Sequence, residues 1–325
     1  MKQTVILFLL MFLSYSCETS GQSINILDEI KISNIENKVN VKGTKILINE
    51  SKDYIYYKEL KRFQKDSKNY FQVIEILNQN YYKVIPNVIS KINELEKQGG
   101  RIGTKKEFKL GSYDAFCGLA PQGQDSEQII LSFGDTSFSV LVVGVFQNDE
   151  KEREEIIDLV LSTYYDKEIK VNIDDNLFYD VDLKNSEFQL LNIISNVSVY
   201  TIRKEKMTGN GIYTNNFSIG FLPNNLHDFD LKAYSDKLIY KYGNNIYKEK
   251  NIKIKIISEM KYKEGESQIV KVEMFGIFEE KEMKIYQYIK QTPKGIIKLV
   301  GTDISKKYVH FNEYKNIAEN IKIKE

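Results

Sequence analysis

Ile129-Ile130-Leu131-Ser132-Phe133-Gly134-Asp135-Thr136-Ser137-Phe138-Ser139-Val140-Leu141-Val142-Val143-Gly144-Val145-Phe146 reads as two strands meeting at a tight turn. β-Branched and aromatic residues fill both arms, and Gly134-Asp135-Thr136 supplies the turn chemistry between them. A polar, acidic helix start follows at Asn148-Asp149-Glu150, and then Ile156, Ile157, Val160, Leu161 and Tyr164 recur at helical spacing. Strands that run into a closing amphipathic helix make this an α+β pattern.

The same order returns in the second half. Met283 to Lys290 and Gly295 to Val300 form a strand pair broken by Thr292-Pro293-Lys294, and a helix follows with Phe311, Tyr314, Ile317, Ala318 and Ile321 on one face. Val143-Gly144 and Val300-Gly301 occupy the same place near the end of the last strand. Upstream, Val88, Ile92 and Leu95 make a helical stripe stopped by Gly99-Gly100. Leu231, Tyr234, Leu238 and Tyr242 make another, with Asp228 or Asp230 as N-cap and Gly243 as the stop. Ile252-Lys253-Ile254-Lys255-Ile256 and Val270-Lys271-Val272-Glu273-Met274 alternate cleanly, which predicts an antiparallel sheet with one face buried and the other wet or partly covered. The fold class expected is therefore α+β in two similar units, each a curved antiparallel sheet with helices packed on it. The turn-rich stretch Asn172-Ile173-Asp174-Asp175-Asn176 marks the join, giving domains over 36–172 and 173–325. Two cores also suit a chain of this length.

The N-terminus has a different character. Met1-Lys2-Gln3 is a short basic start, Val5 to Leu13 is almost wholly apolar, and Ser14-Tyr15-Ser16 leads to Cys17. The apolar stretch falls short of the roughly 20 residues that a helix needs to span a bilayer, so residues 1–17 read as a secretory signal. Its end at a cysteine resembles a bacterial lipoprotein signal of the Bacteroidota type, with Ser14 where such signals usually carry Leu. That resemblance implies cleavage before Cys17, acylation of Cys17 and export to a lipid-anchored position in the cell envelope, with the outer membrane as the expected residence. Residues 18–35, opening with Glu18-Thr19-Ser20-Gly21-Gln22-Ser23, are expected to be a flexible tether.

Forty-six basic residues against 45 acidic leave no net field to attract a polyanion, so no nucleic-acid partner is expected. Cys17 and Cys117 are the two cysteines; with Cys17 acylated, Cys117 has no disulfide partner, and in Ala115-Phe116-Cys117-Gly118 it reads as a small core residue. His227 and His310 are the two histidines, too few for a structural zinc site. His227-Asp228-Phe229-Asp230 reads as a capping loop, and Asn172 to Asn176 lacks the Gly and closing Glu of a calcium loop. Ser132 and Ser137 flank Gly134-Asp135 as a hairpin requires, and Glu152, Glu154 and Glu155 suit the first turn of a helix. Gly99 to Lys105 lacks P-loop spacing. No cofactor, metal site or catalytic residue is expected from these patterns. Twenty-two tyrosines, clustered at Tyr54-Ile55-Tyr56-Tyr57, Tyr81-Tyr82 and Tyr164-Tyr165, supply both half-buried strand residues and contact surface.

Asn215-Asn216-Phe217-Ser218-Ile219 entering a strand, the Leu231 to Tyr242 helix, and Lys298-Leu299-Val300-Gly301-Thr302-Asp303 leading into the last helix resemble the PsbP/Mog-like fold, which includes the envelope lipoprotein DcrB. Phe138 to Gly144 and the helix after it play the same part in the first half. The resemblance implies binding and assembly in place of catalysis. The expected function is a non-catalytic, membrane-anchored envelope lipoprotein that binds a partner protein. The alternatives are a cell-surface hydrolase of glycans or peptides and a small-ligand-binding lipoprotein.

Overall fold

The computed structural model describes residues 23–325 with the exception of 33–34, 78, 98–101, 123–124, 173–176, 195, 203–214, 224–228, 245–252, 279–280 and 325. The chain forms two compact units, Met1–Asn176 and Leu177–Glu325. In the first unit, strands β1 (Glu29–Ile30), β2 (Lys38–Asn40), β3 (Ile46–Asn49), β4 (Ile55–Tyr57), β5 (Arg62–Gln64) and β6 (Tyr70–Leu77) precede helix α1 (Tyr81–Lys97). Strands β7 (Thr104–Leu110), β8 (Tyr113–Pro121), β9 (Ser126–Gly134) and β10 (Phe138–Gln147) then lead to α2 (Glu150–Leu161) and β11 (Tyr164–Tyr165). The second unit runs β12 (Tyr179–Asp180), β13 (Phe188–Ile194), β14 (Val197–Ile202), β15 (Asn216–Pro223) and α3 (Leu231–Asn244). It continues with β16 (Lys253–Glu264), β17 (Ser267–Phe278), β18 (Lys281–Thr292), β19 (Gly295–Asp303), α4 (Phe311–Glu319) and β20 (Lys322–Ile323).

The main sheets are ordered β1-β7-β8-β9-β10-β6-β5-β4 and β13-β14-β15-β19-β18-β17-β16. Read from the opposite edge, the second is the first without β1. In both, the strand before the first helix pairs with the strand before the closing helix, and a hairpin meander fills the rest of the sheet. The accessory ribbon is repeated as well: β11 pairs β3, and β20 pairs β12. The fold is α+β in two similar units of one topology.

Each sheet is covered on both faces. In the first unit, Ile156, Ile157, Leu159 and Val160 of α2 join Cys117, Leu119, Ile129 and Leu131 in one core. Gly118 points to the opposite face, because successive strand residues alternate, and there α1 comes close enough that a Cβ on Gly118 would meet Ile92. In the second unit, α4 packs with Phe217, Tyr286 and Leu299, whereas α3 packs with Val270, Val272, Met274 and Ile285. The alternation in β17 therefore marks two covered faces: the buried one under α3, and the one expected to be wet or partly covered, which lies under α4. Its polar set is tied to the covering helix: Lys271 pairs with Glu319 at 2.5 Å and Glu273 with Lys315 at 2.5 Å.

Helix ends follow local chemistry. Asp149 caps α2 by accepting the Glu152 N–H at 3.1 Å, and Asp230 accepts the N–H groups of Lys232 and Ala233 at the start of α3. The helix α3 runs to Asn244, one residue beyond the expected stop, and Tyr164 belongs to β11 instead of the α2 stripe.

The segment expected as a tether differs over its second half. Ile26 is 2% exposed within the first core, and Ile24, Ile30 and Ile32 pack beside it. β1 lies parallel to β7, with Lys109 N–H donating to Asp28 O and Gly111 N–H to Ile30 O. Isoleucines at alternating positions give this stretch one apolar face, and burying it outweighs the entropy of a free linker.

One row across each sheet repeats in detail. Gly144 lies opposite Phe71 on β6 and Ile129 on β9; Gly301 lies opposite Phe217 on β15 and Tyr286 on β18. Phe71 stacks on Phe63 (4.8 Å, 5°) and Phe217 on Tyr200 (4.5 Å, 11°). Two residues before each phenylalanine stands a buried asparagine, whose Oδ1 accepts the backbone N–H three residues beyond the glycine: Asn69 from Gln147 and Asn215 from Ile304, both at 3.0 Å. A Cβ on Gly144 would stand 2.6 Å from Cγ2 of Ile156, and one on Gly301 would stand 2.6 Å from the Tyr314 ring. Neither obstacle is the free end of a flexible chain. Gly301→Ala should therefore cost about 1–3 kcal/mol by overpacking, and Asn215→Ala a similar amount by orphaning the Ile304 N–H. Urea melts of the two variants that coincide with the wild type would contradict this account.

Candidate functional site

The residues weighed for chemistry are placed as structural groups. Cys17, His227, Asp228 and residues 173–176 lie outside the described residues. Cys117 sits in the middle of β8, fully buried, and burial pushes its thiol up to about 12, far from a reactive thiolate. His310 precedes α4, edge-on to Phe188 at 5.6 Å, with its N–H donating to Asp303 Oδ2 at 2.8 Å and its Nδ1 3.7 Å from Glu313. Ser132 is fully buried in β9. Ser137 donates through both its hydroxyl (2.6 Å) and its N–H (2.7 Å) to Asp135 Oδ1, locking the β9–β10 hairpin.

The carboxylates at the start of α2 are neutralised in place. Lys65 Nζ lies 2.7 Å from Glu152, 3.4 Å from Glu155 and 3.7 Å from Asp53. The hydrogen bond that Lys65 donates to Glu152 leads the forces that hold the lysine charged, well above its ordinary value. Glu154 points to solvent. Carboxylates that share one cation in this way form an ion cluster. Among the described residues no group of three or more His, Cys, Asp or Glu could hold a metal ion, and no helix is long and apolar enough to cross a membrane.

Part of the tyrosine supply is core stock. Tyr179, Tyr200, Tyr286, Tyr288 and Tyr314 are among the largest fully buried side chains, and the Tyr179 and Tyr200 hydroxyls meet at 3.2 Å.

The edge strand β16 stands out instead. It is twelve residues long and, among the described residues, pairs with β17 alone. Ile256 is 45% exposed and Met260 53%, with Ile257 and Tyr262 also exposed and Ile277 beside them on β17. The register shifts between Ile256 and Ser258, so Ile257 is the extra residue of a bulge. Lys255, Lys261 and Lys263 face solvent, while Glu259 is held by Lys232 at 2.9 Å and Glu264 by Lys290 at 3.0 Å. The edge is thus apolar and outwardly basic.

The corresponding edge of the first unit shows how such a strand is closed. β7 is covered by β1, and Lys106 reaches across to donate to Ile26 O and to pair with Asp28 at 2.9 Å. An extended segment with alternate apolar residues and a carboxylate satisfies a lysine-bearing edge. By its sequence β16 reads as one more alternating strand. The signal available was the doublet Ile256-Ile257 followed by Met260 and Tyr262, which breaks the alternation that a half-buried strand keeps.

The chain matches no family model and no curated protein sequence. Among solved structures it is similar to the cyanobacterial PsbP of Synechocystis sp. PCC 6803, at 9% identity and a TM-score of 0.33, over 45% of this chain and 91% of that one. It is also similar to the apo immunity protein TplEi of the T6SS of Pseudomonas aeruginosa, at 8% identity and 0.29, over 88% of this chain and 97% of that one. A chain of the Tle4–Tli4 complex is similar at 7% identity and 0.33, over 89% and 98%. At TM-scores of 0.33 and below these likenesses carry no weight for function.

The hairpin lock has a pH signature. Burial works upward on Asp135, but the hydrogen bonds from Ser137 and Lys167 outweigh it and hold the carboxyl at about 2, below the ordinary 3.8. A carboxyl depressed in the folded state contributes stability that is present above its unfolded value and lost as pH falls through the folded one. Between pH 4 and pH 2 the wild type should therefore lose more stability than Asp135→Asn. Parallel acid titrations of the two proteins, followed by circular dichroism, would rule this out if the two curves coincided.

Proposed function

We propose that this chain is an exported envelope protein, anchored at the outer membrane through acylated Cys17, that binds a partner protein without catalysing a reaction. The binding surface is the edge of β16 that no described strand covers, to which an extended segment of the partner adds as a further strand. One observation carries this reading: two sheets of the same topology differ at one edge, which β1 closes in the first and which exposes apolar side chains and lysines in the second. Strand addition draws its affinity from main-chain hydrogen bonds and its selectivity from alternate side chains. The exposed Lys255, Lys261 and Lys263 favour a segment with carboxylates, as Asp28 does on β7. The hydrolase alternative has less support, since Cys117 is buried and the α2 carboxylates are neutralised.

The anchor rests on the sequence of the first seventeen residues. Labelled palmitate should enter the wild-type protein in cells and fail to enter Cys17→Ala; equal labelling, or none in either, would remove the anchor from the proposal.

The edge has its own test. A photo-crosslinking residue at Met260 should capture a partner in intact cells, and Lys261→Glu with Lys263→Glu should abolish the adduct. The same crosslinker at the exposed Tyr82 of the first unit should give none. Adducts of equal yield at both positions, or an adduct indifferent to charge reversal, would sink the edge as the binding surface.

A further inference from the structure

The first unit serves as an internal control for the second. With Gly144 set against Gly301 and the strand registers followed outward, Tyr113 corresponds to Ser267, Phe133 to Lys290 and Phe138 to Gly295. The closing helices carry the match further, because Tyr165 and Ile323 each stand three residues past the C-cap, Ser162 and Asn320.

At this place the first unit is filled by its own rings. Tyr165 stacks on Phe138 with centroids 3.6 Å apart and planes within 6°, and Tyr113 meets Phe138 edge-on at 5.1 Å. Lys167 lies 5.5 Å above Tyr113. The second unit has replaced those three rings with isoleucine, glycine and serine, and a cleft of about 380 Å³ stands in their stead. Its floor is Tyr288, Ile297 and Ile321, all buried, and Lys290, Lys294 and Lys322 line it as well. Lys290 is engaged by Glu264 at 3.0 Å, while Lys294 and Lys322 face solvent. An apolar floor beneath a cationic mouth, in a volume within the usual range of about 300–1,000 Å³ for ligand pockets, matches an amphipathic anion.

We propose that this cleft is a binding site for an organic carboxylate with an aromatic or bulky apolar body. The body occupies the space that the Phe138–Tyr165 stack fills in the first unit, and the carboxylate meets Lys294 and Lys322. The cleft adjoins the end of β16, where Glu264 holds Lys290, but Lys294 and Lys322 belong to other elements, so their substitution tests ligand binding apart from partner binding at Met260, Lys261 and Lys263. The same chemistry is offered by a free aryl-alkanoic acid and by the C-terminus of a polypeptide ending in phenylalanine.

Calorimetric titration of the full chain distinguishes the two sources. The probes are 3-phenylpropionate, its neutral amide, and a glycine-rich peptide ending in phenylalanine with a free or an amidated C-terminus. At least one free carboxylate should bind, and its amide about tenfold or more weakly, equivalent to about 1.4 kcal/mol. The tighter of the two acids identifies the source. Ser267→Tyr, which restores the ring found at this register in the first unit, should abolish binding. Lys294→Gln with Lys322→Gln should weaken it about tenfold or more and tests the site on its own should Ser267→Tyr fail to fold. Absence of binding by both acids, equal binding of acid and amide, or binding untouched by the lysine changes would overturn the proposal.

Discussion

A glycine in the last strand of each sheet sets how closely the closing helix can approach. Gly144 admits Ile156 and Val160 of α2, and Gly301 admits the ring of Tyr314 from α4. With no side chain there, the helix packs onto the sheet at the row where Phe71 or Phe217 stacks on its neighbour. The strand end beyond the glycine is then tied down by Asn69 or Asn215, each accepting one backbone N–H. Once the helix is seated, its C-terminus can deliver the short strand that joins the accessory ribbon, β11 to β3 and β20 to β12. Interiors are close-packed, so a single methyl at this row would displace the helix and everything that follows it.

Keeping that row constant leaves the periphery free to differ, and the differences are where binding is read. The first unit closes its β7 edge with an N-terminal segment and fills the end of its sheet with Tyr113, Phe138 and Tyr165. The second leaves β16 exposed and lines the corresponding space with lysines over isoleucines. The first unit spends its side chains on its own packing; the second offers the equivalent positions to solvent. Beneath α3, the buried Gln287 donates to Ser235 at 2.7 Å.

The duplication was legible because hairpin, amphipathic helix and the Val-Gly pair recur in the same order, and these are short-range patterns. The Asn-x-Phe entry to the matching strands, Asn69-Tyr70-Phe71 and Asn215-Asn216-Phe217, was present in the letters as well. Its meaning depends on a hydrogen bond to a residue 78 or 89 positions away, which no local period encodes. The tether is the opposite case. Glu18 to Ser23 is polar and suggested a free linker, yet the isoleucines from Ile24 to Ile32 find an edge more than 70 residues later.

By itself the sequence determined the α+β class, the two-fold repetition, the placement of most helices, and the apolar run that ends at Cys17. Those features follow from periodicity, capping and composition, all of which act over a few residues. Only the tertiary structure decided that both faces of each sheet are covered, that β1 closes one edge while β16, among the described residues, is paired on one side alone, and that a cleft replaces three aromatic rings. Each of those depends on which strand lies next to which and in what register. Register is fixed by the packing of a whole sheet against its helices, so it is a property of the assembled core and not of any segment within it.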